Sequence, residues 1–403
     1  MNIILKQARL PSKDKLQDIQ IIDGRITKIS EHIHDRTGLS INVKNKLVTP
    51  GLIDAHMHLD KALLSESYPN KSGTLEEAIK VMGAAKEDFT VKDIIKRATK
   101  VARMALINGT TTIRTHVDVD PIVELCAMEA LLKVREAMRE LLEIQVVAFP
   151  QEGLTNQKGV YELLDKAMNM GADVLGGIPA IDPKPKQHID QIFELSMKHD
   201  SDIDMHIDES DNPKDFTIDF YSERISTDKS ERKFTAGHCC TLSLVDDNQA
   251  RAVIDKSVNS GLNFVTLPST NLYLQGRNGY PRRRGLTRVN ELDKEGANIF
   301  YASDNIRDAF NPFGNANMME TGLILAHAAQ MGGIEDFRKI IEMATSRPSK
   351  ALGKKNYNIK QGNEVPLVVH DASSFQDLII EHKKPLYVIN NGRIIVDNGK
   401  IIG

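Results

Sequence analysis

Between residues 47 and 303 the chain repeats one rhythm eight times: a short apolar run rich in β-branched residues, then a longer stretch of mixed polarity. The runs are Leu47–His56, Thr110–His116, Ile144–Pro150, Asp173–Ile178, Ile203–Asp208, Phe234–Cys239, Asn263–Leu267 and Asn298–Ser303. The stretches between them, such as Val91–Ile107 and Pro121–Leu142, carry apolar residues at three- and four-residue intervals, the spacing of one helix face. Eight strands alternating with helices predict an α/β fold, a (β/α)8 TIM-like barrel. An open, doubly wound sheet shares the alternation. It usually carries a Gly-rich phosphate loop after its first strand, and the sequence has none there.

The two ends of the chain follow another pattern. Asp18–Ile29 reads DIQIIDGRITKI, and Tyr387–Ile402 reads YVINNGRIIVDNGKII. Asp-Gly and Asn-Gly between alternating apolar residues signal tight hairpins, because both turn positions need positive φ. Hairpin-rich ends around a long middle predict a small β-sandwich domain formed from both termini, residues 1–48 and 356–403, with the barrel over 49–355. A length of 403 residues suits a large core with such a module attached.

Composition excludes several classes of function. Fifty-two basic and 55 acidic residues leave a formal charge of -3, without the basic excess of a dedicated nucleic-acid binder. Hydrophobic residues at 41% and charged residues at 27% describe a soluble globular chain. No apolar run approaches the roughly 20 residues that cross a bilayer, and the N-terminus lacks the basic and apolar regions of a signal peptide. Cys126, Cys239 and Cys240 cannot build a disulfide framework. The expectation is a cytoplasmic protein with no nucleic-acid or membrane partner. The compact basic run Arg282-Arg283-Arg284 reads first as a solvated loop and second as a contact for an anion.

Chemistry concentrates where the runs end. His56 and His58 form an H-x-H at the end of the first run, and side chains two apart on a strand share a face. Active sites of such barrels lie at the C-terminal strand ends, where this pair falls. A second H-x-H, His32 and His34, lies in a polar stretch and reads as exposed and incidental. His116 closes the second run, Gln151 and Glu152 follow the third, His206 and Glu209 close the fifth, His238 the sixth and Asp304 the eighth. Any one of these could be a satisfied buried polar residue. Random scatter of 12 histidines, however, would not favour strand ends in one inferred ring. His56, His58, His206 and Asp304 make a four-ligand N/O set suited to Zn²⁺ or Fe²⁺, with a position left open for water.

This constellation, between two halves of a β-sandwich, resembles the amidohydrolase superfamily. The longer motifs RTHVDVD, QVVAFPQEG, DMHIDE, NLYLQGRNGYPRRRGLTRV and PFGNANM are similar to those of the bacterial, barrel-type cytosine deaminases. The resemblance covers nearly the whole chain. Two-metal amidohydrolases need a bridging lysine at the end of strand 4, and DVLGGIPAID has none before Lys184, which argues for one divalent metal per subunit, Zn or Fe. The resemblance implies hydrolytic deamination of a free nucleobase, cytosine to uracil and ammonia. Asp304 would take the proton of the attacking water, His238 would stabilise charge on the attacking oxygen, and Glu209 would protonate a ring nitrogen. It further implies that Gln151 reads the substrate, an amide's acceptor and two donors matching a pyrimidinone edge. Phe310 would place an aromatic ring beside that substrate, with ordinary core packing as the alternative. A homo-oligomer is implied at the family level.

One residue departs from the pattern. Asn305 follows the metal-binding Asp304, where cytosine deaminases carry a second Asp on the substrate's amino side. The segment ASDNIRD is similar instead to N-isopropylammelide amidohydrolases, which remove an alkylamine from an s-triazine, whereas Glu209 and the YPRRRGLTR stretch follow the deaminases. Cytosine leads as the expected substrate, with isocytosine, isoguanine, another cyclic amidine or an N-alkyl s-triazine as alternatives.

Overall fold

The computed structural model describes residues 1–35 and 37–402. Among them, eight parallel strands form one sheet in chain order: Leu52–Met57, Thr110–Asp118, Glu143–Phe149, Val174–Gly177, Asp202–Ile207, Phe234–His238, Asn263–Thr266 and Asn298–Tyr301. Each of the eight apolar runs overlaps one of these strands. The first and last strand regions meet where Met57 pairs with Asp304 and the Asp304 N–H donates to the His56 carbonyl at 2.9 Å, so the sheet curls into a barrel. Helices alternate with the strands on the outside, as the periodicity predicts. Helix Val91–Ile107 starts at a Thr90 cap whose side chain accepts from the Asp93 N–H, and it buries Ile94, Ala98, Val101, Ala102 and Ala105 as one stripe.

Two details differ from expectation. The run Leu47–His56 splits at Gly51. Val48–Pro50 pairs antiparallel with Leu367–Val369 in a five-stranded sheet of the chain ends, and the barrel begins at Leu52. Gly51 allows this crossing because a Cβ there would lie 2.0 Å from Thr111 Oγ1. A boundary at 48/49 therefore cuts through that strand, and the passage into the barrel falls at Gly51. Within Pro121–Leu142, the helix occupies only Cys126–Met138. Asp120 Oδ1 accepts from the Ile122 and Val123 N–H groups at 2.8 and 3.1 Å, and this local turn competes with a helical start.

The termini form two sheets. Arg25–Ser30, Gln17–Ile22, Asn2–Ala8 and Leu39–Asn42 lie side by side, the last parallel to its neighbour, and the five-stranded sheet runs from Lys400–Ile401 through Arg393–Asp397, Tyr387–Asn390 and Leu367–Val369 to Val48–Pro50. The hairpin turns carry the required left-handed pairs, with φ of 48° and 88° at Asp23-Gly24, 48° and 71° at Asn391-Gly392, and 46° and 72° at Asn398-Gly399. Ile26 exchanges backbone hydrogen bonds with Asn363 and Gly362, tying the two sheets together. One apolar core runs from the barrel into both sheets. Among the described residues no helix is long and apolar enough to cross a membrane.

Candidate metal centre and active-site cleft

His56, His58, His206 and Asp304 converge at the C-terminal end of the barrel, all buried, with one donor atom from each lying within 4.8 Å of the others. His58 Nε2 is 3.3 Å and His56 Nε2 3.6 Å from Asp304 Oδ1, and the Nε2 atoms of His58 and His206 are 3.2 Å apart. Donors held about 2.0–2.1 Å from a common ion at tetrahedral angles sit roughly 3.3–3.4 Å from one another. The set therefore has the spacing of a coordination shell. Burial drives the three imidazoles well below their usual range, into the neutral form that ligates metal. His56 Nε2 and both Asp304 carboxylate oxygens are buried with no hydrogen-bond partner among the described residues. Orphaned lone pairs of this kind are costly unless something binds them, and this donor set fits a divalent cation.

The backbone bends sharply at these strand ends. Asp304, His238 and Asp208 adopt φ of 60°, 65° and 52°, a region that non-glycine residues enter at a cost and that clusters at functional sites. His116 packs against His56, with ring centroids 4.0 Å apart and the planes tilted by 33°, and its Nε2 lies 3.5 Å from Asp204 Oδ1. Asp204 is held in turn by Arg114 at 2.9 Å.

A cleft of about 270 Å³ opens above the cluster, lined by His58, His206, His238, Asp304, Glu209, Gln151, Asn305 and Phe310 among others. Of the residues expected to bind metal or substrate or to catalyse, all but the buried His56 line this one cavity. A larger hollow, about 670 Å³, lies at the opposite end of the barrel between Thr111, Tyr357 and the terminal sheets, and none of these candidates lines it. Chemistry rather than size singles out the smaller one.

Within the cleft, His238 Nδ1 accepts from Asn271 Nδ2 at 2.9 Å, which puts the ring proton on Nε2. Nε2 has no partner among the described residues, and burial pushes this imidazole down to about 4. Glu209 Oε1 lies 3.4 Å from His238 Nδ1, and burial, reinforced by the nearby Asp304 charge, pushes the Glu209 carboxyl well above its usual range. Asn305 Nδ2 donates to Asp308 Oδ2 at 2.7 Å. His32 and His34 are exposed, far from this cluster in the fold, and Arg282, Arg283 and Arg284 lie on an exposed loop. Lys184 is exposed, and strand 4 ends in the turn Pro179–Ile181 without a lysine.

The sequence reading missed Lys61. This fully buried lysine donates to Asp118 Oδ1 at 2.7 Å and to Gln151 Oε1 at 2.6 Å. His58, Asp60 and Asp118 could form a second metal grouping, but the Lys61 ammonium already neutralises Asp118. The available signal was a lysine and aspartates, in HLDK and HVDVD, at the ends of runs otherwise fit for burial.

A family model described as "Amidohydrolase family" matches residues 40–396. N-isopropylammelide isopropyl amidohydrolase of Pseudomonas sp. strain ADP is 32% identical over 416 aligned residues, spanning 100% of this chain and 98% of that protein. Pterin deaminase of Rhizobium rhizogenes is 28% identical, spanning 96% and 89% of the two chains. Among solved structures, 5-methylcytosine deaminase from Klebsiella pneumoniae liganded with 5-fluorocytosine superposes with a TM-score of 0.93 at 32% identity, over 98% of this chain and 97% of that one.

Proposed function

The chain belongs to the amidohydrolase family, hydrolases of C–N bonds, and on that premise we propose that it is a metal-dependent hydrolytic deaminase of a small amino-substituted, oxo-bearing nitrogen ring, with free cytosine-type pyrimidines as the first candidates. The observation that carries this reading is the convergence of four buried metal donors, those of His56 and Asp304 without any hydrogen-bond partner among the described residues, on a cleft that also presents a proton donor, an N–H and a ring-reading amide. His56, His58, His206 and Asp304 would hold one divalent ion, Zn or Fe. A bound ion of this kind lowers the pKa of a coordinated water, making the nucleophile available near neutral pH.

The rest of the chemistry falls to the chain's own groups. Asp304 has a carboxylate oxygen free of protein partners to accept the water's proton. His238 points an Nε2–H into the cleft, a donor for the attacking oxygen as charge builds on it. Glu209, its carboxyl pushed well above the usual range by burial, donates its proton to the adjacent ring nitrogen. Water adds at the amino-bearing carbon, the C–N bond breaks, and the proton balance releases ammonia and a ring carbonyl. Gln151 faces the ring edge away from the metal, and Phe310 closes the apolar side.

A second reading replaces ammonia by an alkylamine and the pyrimidine by an s-triazine. The neutral amide of Asn305, together with the 32% identity to the N-isopropylammelide enzyme, favours it. The deciding experiment is ammonia release from cytosine by metal-replete protein, with uracil followed by absorbance. A kcat/KM at or above about 10⁴ M⁻¹s⁻¹ supports the first reading. Amine release from N-isopropylammelide, without activity on cytosine, supports the second. Metal-replete protein inert toward cytosine, 5-methylcytosine, isocytosine, isoguanine and N-alkyl triazines overturns both.

A further inference from the structure

Behind Gln151 lies a chain of buried ions. Lys61 bonds Asp118 and Gln151. Asp118 also pairs with Lys86 at 2.8 Å, and Lys86 reaches Asp120 at 2.8 Å and Glu152 at 2.7 Å. An ammonium has protons and no lone pair, so Lys61 can hold only the oxygen end of the Gln151 amide. A flipped amide would set its NH2 against the ammonium and forfeit a charge-assisted hydrogen bond. The Nε2 protons of Gln151 have no acceptor among the described residues, and the side chain lines the cleft. Lys61 keeps a third proton, and its Nζ stands 5.7 Å from the centroid of Phe310, which lines the same cleft.

Asn305 shows the opposite polarity. Its Nδ2 is committed to Asp308 Oδ2, which leaves Oδ1 to face a ligand. Two amides of one cavity are thereby locked, Gln151 as a donor and Asn305 as an acceptor. We infer that Lys61 is a positioning residue for substrate recognition: by holding Gln151 Oε1 it makes this wall of the cleft a hydrogen-bond donor, and so selects rings that present an oxo oxygen to Gln151 and an N–H to Asn305. The inference rests on the deaminase reading and adds to it the feature that defines the substrate class. A ring without that oxygen leaves the Nε2 protons unbonded in a cleft it has desolvated.

Two inert product-like rings test this, uracil and pyrimidin-4-one, which lacks the 2-oxo group and the N1–H that accompanies it. Their affinities are measured by calorimetry on the zinc-loaded wild type, Lys61→Met, Gln151→Leu and the double variant. The wild type should bind uracil about tenfold more tightly than pyrimidin-4-one, the worth of about one hydrogen bond. Either single variant should narrow the ratio severalfold, leaving only what the N1 difference contributes, and the double should be no worse than Gln151→Leu, since both act through one bond. Lys86 still pairs with Asp118 in Lys61→Met, and Gln151→Leu removes no buried ion, so at least one variant remains informative. An unchanged ratio in either variant, equal weakening of both rings in Lys61→Met, or additive losses in the double overturns the inference. Ammonia release by a wild type that does not prefer uracil also overturns it. A wild type that prefers uracil yet deaminates nothing overturns the deaminase reading alone.

Discussion

Replacing Glu209 by Gln separates a catalytic acid from a residue at the rim of the cleft. The side chain is only 13% exposed, and its Oε1 lies 3.4 Å from His238 Nδ1. If the two formed a partly exposed ion pair, its loss would cost about 0–1 kcal/mol, less than roughly fivefold in rate. Burial argues against that pair. It holds His238 down to about 4, neutral near pH 7, and pushes Glu209 well above its usual range, toward the protonated form that can give up a proton. The amide of Gln matches the acid in size and polarity but cannot give up a proton to a ring nitrogen. General acid–base catalysis typically supplies 10²- to 10⁴-fold, or about 2.7–5.4 kcal/mol of barrier at roughly 1.36 kcal/mol per decade. The assay is steady-state release of ammonia or amine alongside metal analysis of the same preparation. Glu209→Gln should keep its metal and lose at least about 100-fold in kcat. A metal-loaded variant within about fivefold of wild type would remove Glu209 from the mechanism.

Other perturbations probe the remaining parts. Asp304→Ala removes the one anionic donor of the cluster and should lower metal affinity by more than about 100-fold, the upper end of what losing a hydrogen-bond partner of a metal ligand costs; a variant that is metal-loaded and active sinks the ligand assignment. Asn305→Asp places a carboxyl against Asp308, itself pushed up to about 7 by burial, and should raise the preference for cytosine over N-isopropylammelide, read as a ratio of kcat/KM. An unchanged ratio would show that position 305 does not choose the ring. His370, 1% exposed and 2.8 Å from Thr49 Oγ1 in the five-stranded sheet region, is pushed down to about 3 by burial. Its native pKa lies below the unfolded value of about 6.5, so the unfolded chain takes up the proton first and stability falls with pH, by about 1.4 kcal/mol per unit between those values. Urea unfolding of His370→Asn should show a shallower acid slope than wild type, and parallel slopes would contradict the assignment.

Much of this molecule follows from local pattern alone. A strand buried on both faces must be apolar along its length, so each barrel strand announced itself as a short β-branched run. Each Asx-Gly hairpin turn was equally plain, because few residue pairs accept two successive positive φ values. The metal donors stood out because histidines and an aspartate closed several of those runs, and a barrel of known handedness delivers strand ends to one rim. Where local competition or a close approach decides, the pattern falls short. The Asp120 side chain delays a helix that periodicity starts at Pro121, and Thr111 makes Gly51 the point where the Leu47–His56 run passes from one sheet to another.

Long-range pairing lies further beyond the sequence. Lys61 is 57 residues from Asp118 and 90 from Gln151, and no spacing rule relates them. Only when the barrel closes do the three meet, and only then is the Gln151 amide orientation determined. The same closure raises the pKa of Glu209 and lowers those of His56, His58, His206 and His238, because desolvation depends on what the folded chain packs around a group rather than on its neighbours in sequence. Residue types and their order were enough to specify a barrel with metal-binding chemistry at its rim. Which way burial moves each titratable group, which amide end of Gln151 is left to the cleft and which lysine holds the other end were decided by tertiary structure, since each depends on contacts that do not exist until the chain has folded.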